Sequence, residues 1–241
     1  MNNIALIFAG GSGIRMNNNA QPKQFLQLHG KEIIIHTIEQ FERHAAIDAI
    51  AVACIEEWIP FFKSLLEKHQ IKKVKWVITG GTTGQESIYN GLASIKNDCP
   101  DDAVILIHDG VRPLINSELI TNCINSVKEH GSAITVTPEI ETVVSLDNNR
   151  KITSITDRSC CYHAKAPQCF RLNDIYAAHQ CAKQEGLSNM IDSASLMAHY
   201  GHELYTVEGG YENIKITTPA DYYIFRALFE AKENAQIFNN L

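Results

Sequence analysis

Asn3-Ile4-Ala5-Leu6-Ile7-Phe8-Ala9-Gly10-Gly11-Ser12-Gly13-Ile14-Arg15-Met16, followed shortly by Pro22-Lys23-Gln24-Phe25, sets the reading of the whole chain. Ile4–Phe8 is an apolar run rich in β-branched residues and reads as a buried strand. The glycines after it let the main chain approach a polyphosphate closely and aim several N–H groups at its oxygens. Arg15 and Lys23 add cationic charge beside that loop. Spacing excludes the two commonest phosphate loops. Gly11 and Gly13 begin a G-x-G-x-x-G series, but Met16 stands in its last position, and no G-x-x-x-x-G-K-[ST] is present. A nicotinamide-dependent dehydrogenase would also want an acid ending the second strand, where Glu56 and Glu57 are the only candidates.

Working outward, similar apolar runs recur at Ile50–Ile55, Val74–Ile78, Val104–Ile107 and Ala133–Val136. Between them lie segments with helical spacing, as in Ile33, Ile34, Thr37, Ile38 and Phe41, in Phe61–Leu66, in Ile88–Ile95 and in Leu119–Val127. Alternation of this kind predicts an α/β fold with a mostly parallel, doubly wound sheet and helices on both faces. The rhythm breaks after Pro138. Thr142–Leu146 and Lys151–Thr156 flank the turn-forming Asp147-Asn148-Asn149-Arg150, which predicts a projecting β-hairpin. A two-stranded ribbon is marginal alone, so residues 138–160 are expected to pack on a second subunit as a homodimerisation arm, the alternative being an edge hairpin folded back on its own sheet. Helices near Asn173–Gln184 and Ser193–His199, a strand near Leu204–Val207 and a last helix from Pro219, capped by Thr218, complete one domain over residues 1–241.

The chain has 241 residues, 45% hydrophobic and 20% charged, which is enough apolar material for a sizeable core. A formal net charge of −6 argues against gripping a nucleic-acid backbone. The first residues lack the basic flank and apolar length of a leader or membrane span. Seven cysteines, odd in number and without C-x-x-C spacing, suit reduced thiols and a cytoplasmic setting. His199 with His202, and Cys160-Cys161 with His163, read as packing or surface residues rather than a zinc site.

Taken bottom-up, Asp109 falls where the strand Val104–Ile107 ends, the edge at which open α/β sheets bind ligands, and a carboxylate there suits Mg²⁺ on a triphosphate. Its blander alternative is a cap on the next helix. Arg112 has two readings as well, a phosphate contact or a partner for a nearby acid.

A-G-G-x-G-x-R-M with P-K-Q-F, Thr79-Gly80-Gly81 with Ser87, His108-Asp109-Gly110-Val111-Arg112-Pro113, Asp157-Arg158, Ala166-Pro167-Gln168 and Asn213-Ile214-Lys215-Ile216-Thr217-Thr218-Pro219-Ala220-Asp221 occur in that order. The set resembles the polyol-phosphate cytidylyltransferases that act on 2-C-methyl-erythritol 4-phosphate or ribitol 5-phosphate. The resemblance implies a Rossmann-like nucleotidyltransferase fold, CTP and a polyol phosphate as substrates, a divalent metal ion such as Mg²⁺, and release of pyrophosphate. Read from the residues alone, Lys215 falls at the end of a short strand before a helix, where a lone lysine is normally a solvated charge. The resemblance implies catalytic roles for Arg15, Lys23 and Lys215 and a metal role for Asp109. Ala9, Gly10, Gly11, Gly13, Gly80, Gly81 and Ser87 are implied to hold CTP. Arg112, Thr142 and Arg158 are implied to hold the polyol phosphate, the last two from the hairpin.

Three positions depart from that pattern: Gly84 where an Arg is usual, Ala166 for Thr in T-P-Q, and Ile191 for Thr in a T-D motif. They weaken 2-C-methyl-erythritol 4-phosphate as the acceptor. Ile35-His36-Thr37-Ile38-Glu39, Gly110-Val111-Arg112 and Ile216-Thr217-Thr218-Pro219 lean toward the ribitol branch, so ribitol 5-phosphate ranks first and another sugar-alcohol phosphate third. The same departures prompt a rival reading, a non-catalytic nucleotide-binding relative, against which stand the retained Arg15, Lys23, Asp109 and Lys215.

Overall fold

The computed structural model describes residues 1–10 and 21–238, the last four by their backbone. In chain order come β1 (Asn3–Ala9), the short pair β2 (Gln27–Leu28) and β3 (Lys31–Glu32), α1 (Ile33–Glu42), β4 (Ala49–Cys54), α2 (Ile59–Lys68), β5 (Val74–Thr79), α3 (Gly84–Ile95) and β6 (Val104–Asp109). Then follow α4 (Ser117–His130), β7 (Ser132–Pro138), β8 (Val144–Leu146), β9 (Ile152–Ile155), β10 (Tyr162–Arg171), α5 (Leu172–Gln184), α6 (Ser193–His199), β11 (Thr206–Glu208) and α7 (Pro219–Phe238).

Seven strands form one sheet in the order β11-β7-β10-β6-β1-β4-β5. β1 lies parallel between β4 and β6, as its uninterrupted apolar sequence demands of a strand covered on both faces. Its side chains alternate between two cores. Ala5, Ile7 and Ala9 join the layer built with α1, α2 and α4, while Ile4 and Leu6 join the one built with α3, α5 and α6. The expected α/β architecture is therefore present, with helices on both faces. A third, smaller cluster packs Leu28, Ile33, Val111 and Leu114 against Ile216 and Phe225, tying α7 to the C-terminal end of β6.

Helix ends follow local chemistry. The Asn116 side chain accepts from the Leu119 amide at the start of α4, and Gly131, at φ 87°, ends that helix in the left-handed conformation. Before α7 the Asp221 carboxylate accepts from the amides of Thr217 and Thr218, and the Thr218 hydroxyl accepts in turn from the Asp221 amide, so the expected cap is reciprocal.

The sequence pattern missed β10. It is the antiparallel member of the sheet, paired with β6 on one side and β7 on the other. Pro167 lies inside it, and a proline normally argues against an interior strand. A register shift accommodates it: Ala164 faces Val136 but Gln168 faces Ile134, leaving Lys165-Ala166-Pro167 opposite Thr135 alone. The Thr135 hydroxyl donates to the Pro167 carbonyl at 2.7 Å, tying the irregular stretch to β7.

The hairpin is also observed, with β8 and β9 paired antiparallel as a separate two-stranded sheet. It leaves the main sheet after Pro138 and returns at Tyr162, where the Glu139 amide bonds the Cys161 carbonyl. β8 begins later than expected, so Thr142 precedes the strand. All seven cysteines, each among the described residues, are free thiols. No helix among the described residues is long and apolar enough to cross a membrane.

Phe170 of β10 is fully buried in the α3/α5/α6 core. Phe170→Ala is expected to cost about 3–5 kcal/mol of unfolding free energy by urea titration, whereas a loss below about 1 kcal/mol would show that β10 is not part of the stable sheet.

Candidate active site

β1, β4, β5 and β6 run parallel, so their C-terminal residues open on one edge of the sheet. On one part of this edge Gly10, Gly80 and Ser87 converge. A Cβ on Gly10 would stand 2.9 Å from the Ser87 hydroxyl oxygen, and one on Gly80 would stand 3.2 Å from it and 3.3 Å from the Cys54 carbonyl. A larger residue at either position would press on the Ser87 hydroxyl or the Cys54 carbonyl. The Ser87 hydroxyl donates to the Thr83 carbonyl and accepts from the Gly81 amide, each at 2.9 Å, which fixes its orientation at the start of α3. Ala9, the last residue of β1, is held by Gln24, whose buried amide donates to the Ala9 carbonyl at 2.7 Å. Gln24 lies in the turn Lys23–Phe25, so this bond brings Lys23 to the same edge. Gly11, Gly13 and Arg15 lie outside the described residues.

The other part of the edge is charged. Asp109 ends β6 with its side chain 7% exposed, and it receives Lys215 Nζ on Oδ1 at 2.6 Å and Arg112 Nε on Oδ2 at 2.7 Å. Burial alone would push this carboxyl up, but Lys215 and then Arg112 outweigh it and hold it down at about 2. Asp109 is thus a carboxylate clamped by two cations. Helix α4 is capped by Asn116 instead, which disposes of the capping role for Asp109. His108, fully buried beside it, is pushed down to about 4, chiefly by burial, and its Nδ1 has no hydrogen-bond partner among the described residues.

Lys215 corrects an expectation. It lies in an irregular segment rather than at a strand end: among the described residues it pairs with no strand, and the neighbouring Ile216 main-chain amide bonds the Val111 carbonyl at 3.0 Å. That bond, with Ile216 buried under α7, sets Lys215 beside Asp109 and leaves its side chain 41% exposed toward the cleft. Arg112 makes the acid pair that was the plainer of its two readings, and it also donates to the Asn213 carbonyl at 2.9 Å. Thr142 and Arg158 are exposed on the arm, with Arg158 donating to the Ile140 carbonyl. Among the described residues no hydrogen bond or ion pair joins either to Asp109.

Gly84, Ala166 and Ile191, noted as departures, line one cavity of about 390 Å³ together with Asp109, Arg112 and Lys215. Sequence reasoning passed over several residues that build its walls. The Gln85 amide clasps the loop before α6, donating to the Leu187 carbonyl and accepting from the Met190 amide. Gln168 does the same at the end of that loop through Asp192 and the Ala194 amide. Asn213 donates to the Ala166 carbonyl at 2.6 Å. Gln24, Gln168 and Asn213 stood inside the quoted motifs. Glutamine and asparagine carry no charge pattern that singles them out.

Comparison with known proteins joins these observations to a family. The model of the family 2-C-methyl-D-erythritol 4-phosphate cytidylyltransferase matches residues 3–231. The chain belongs to this family. Among its relatives, a ribitol-5-phosphate cytidylyltransferase of Vibrio parahaemolyticus is 52% identical over 98% of this chain and 99% of its own length. A 2-C-methyl-D-erythritol 4-phosphate cytidylyltransferase of Clostridium botulinum is 35% identical, covering 95% of this chain and 97% of its own. The crystal structure of 4-diphosphocytidyl-2C-methyl-D-erythritol synthase from Anaerococcus prevotii superposes with a TM-score of 0.82 at 27% identity, covering 95% of this chain and 96% of its own. Within the cytidylyltransferase family the cleft at Gly10, Gly80, Ser87, Asp109 and Lys215 is the candidate active site.

Asp109 gives a pH test. An unfolded aspartate titrates near about 3.9. Because the folded value is lower, at about 2, the unfolded chain binds more protons between the two, and stability falls as pH drops through that window. Urea unfolding at a series of pH values should therefore show a steeper loss below about pH 4 for the wild type than for Asp109→Asn, which has no proton to take up at this site. Equal slopes would contradict the paired geometry.

Proposed function

We propose that the protein transfers CMP from CTP to D-ribitol 5-phosphate, forming CDP-ribitol and pyrophosphate. The observation that carries the choice of acceptor is 52% identity, over nearly the full length of both chains, to a ribitol-5-phosphate cytidylyltransferase. The departures at Gly84, Ala166 and Ile191 agree with it, since all three change the wall of the cavity beside Asp109. The second reading, 2-C-methyl-D-erythritol 4-phosphate as acceptor, is favoured by the family model and by relatives at 35% identity. A non-catalytic relative is disfavoured by the retained Lys23, Asp109 and Lys215.

A phosphate oxygen of the acceptor attacks the α-phosphorus of CTP, and the bond from that phosphorus to the bridging oxygen of the pyrophosphate breaks. A phosphate monoester is already anionic near neutral pH, so no side chain has to generate the nucleophile. Placement and charge neutralisation supply the rate. Gly10, Gly80, Gly81 and Ser87 form the cytosine end of the cleft, and Gly11 and Gly13, outside the described residues, are assigned to CTP by the family motif. Arg15, Lys23 and Lys215 neutralise charge that develops on the phosphates during transfer. The Asp109 carboxylate, ionised and lining the cleft, would suit a divalent cation such as Mg²⁺, which takes one or two carboxylates and completes its shell from substrate phosphates and water. When bound, that ion would offset negative charge on the triphosphate.

Arg112, Thr142 and Arg158 take the acceptor side. The arm carries Ile140, Val144, Leu146, Ile152 and Ile155 exposed, with Ile155 68% accessible, an apolar surface that suits burial against a second copy. In a homodimer joined there, Thr142 and Arg158 would serve the partner's acceptor site.

The deciding experiment compares ribitol 5-phosphate and 2-C-methyl-D-erythritol 4-phosphate as acceptors by pyrophosphate release with CTP and Mg²⁺. The higher kcat/KM is expected with ribitol 5-phosphate, and preference for the other acceptor would overturn the assignment. Lys23→Ala and Lys215→Ala should each lower kcat by roughly 100-fold or more while leaving the fold intact. Arg158→Ala should raise KM for the acceptor more than KM for CTP, and an effect confined to CTP would remove the arm from the acceptor site.

A further inference from the structure

Lys165 lines the same cavity as Asp109, Arg112 and Lys215, yet no motif quoted from the sequence includes it. Its position follows from the irregularity in β10. The ladder with β6 ends at the Gln168–Ile107 pair, and the one with β7 skips from Ala164 to Gln168, so Lys165-Ala166-Pro167 bulge out of register alongside the end of β6. Bulges beside functional sites re-aim a side chain, and this one turns Lys165 toward the cleft. Its ammonium is half-buried and rests on two carbonyls at long range, Gly210 at 3.4 Å and Tyr211 at 3.3 Å, with the Tyr211 ring 5.8 Å away.

Charge separates Lys165 from its neighbours. Both Arg112 and Lys215 are ion-paired with Asp109, which leaves that trio with one net positive charge. Among the described residues Lys165 is paired with no carboxylate. Burial and then repulsion from Arg112 lower its ammonium, with Glu212 opposing, so an anion arriving in the cleft would relieve the strain on its charge. A phosphate monoester near neutral pH carries about −1.5 to −2 charges, more than the trio alone neutralises.

Topology decides which phosphate. Gly10, Gly80 and Ser87 lie on the β1, β4 and β5 side of Asp109, whereas Lys165 lies on the β10 side, next to the strands from which the arm departs. Resting on the reading of this cleft as a cytidylyltransferase site, we propose that Lys165 is a binding residue for the acceptor's phosphate and a determinant of KM for the polyol phosphate. Lys165 supplies there the charge that Arg112 has given to Asp109, beside Ala166, where the sequence lacks the usual hydroxyl.

The test is steady-state turnover of the full chain with CTP, Mg²⁺ and ribitol 5-phosphate for wild type, Lys165→Met and Lys165→Arg. Losing a charge-assisted hydrogen bond is expected to raise KM for ribitol 5-phosphate about tenfold or more, to leave KM for CTP within about twofold, and to be largely reversed in Lys165→Arg. An acceptor KM that does not move, or a rise shared equally by CTP, overturns the proposal. Should Lys165→Met lose its cooperative unfolding transition, Lys165→Gln is scored by the same split. Wild-type turnover is measured first. Its absence would refute the cytidylyltransferase reading and this assignment with it, whereas normal wild-type turnover with an unmoved acceptor KM refutes the role of Lys165 alone.

Discussion

A carboxylate at the end of a buried strand, held between an arginine and a lysine, organises the cleft. Asp109 costs free energy to bury and is stable as an anion only because Lys215 and Arg112 reach it from two different segments. Each of those segments needs its own support. Arg112 follows β6 directly, whereas Lys215 arrives from more than 100 residues away on a strip of chain fixed by Ile216 under α7 and by its bond to Val111. The fold thus converts hydrophobic packing of α7 into placement of one ammonium group. Preorganised charge of this kind is what phosphoryl and nucleotidyl transfer require, since little covalent chemistry is left for the protein.

Two halves of the cleft obey different rules. On the β1 and β5 side main chains nearly touch, and the site is made of glycine and one oriented serine. On the β10 side the walls are side chains, anchored by Gln168 and Asn213. Ala166 and Ile191 fall on that second side, whereas Gly84, between Gly81 and Ser87, begins α3 and lines the same cavity. The family holds relatives named for two polyol phosphates.

Much of this was legible in the amino-acid order. Strands buried on both faces announce themselves as unbroken apolar runs, which is why β1, β4 and β6 were readable, and Gly10, Gly80 and Lys215, which stand in the quoted motifs, lie along the candidate cleft. β10 was not, because Lys165 and Pro167 break its apolar pattern and its pairing depends on a bulge that only the tertiary context supports. The alternation of Ile214 and Ile216 around Lys215 resembles a strand pattern, but it serves the small α7 cluster and not a sheet. Ion pairing was the least legible feature. The separation of Asp109 from Lys215 along the chain gives no hint that they meet.

The most direct measurement is a crystal structure of the protein grown with CTP and Mg²⁺. The arrangement described here requires the cytosine to lie against Gly10, Gly80 and Ser87, with the triphosphate passing Lys23 and its α-phosphorus within reach of Lys215 and Asp109. Nucleotide bound away from this edge, with the cleft between β1 and β6 holding none of it, would contradict the central claim.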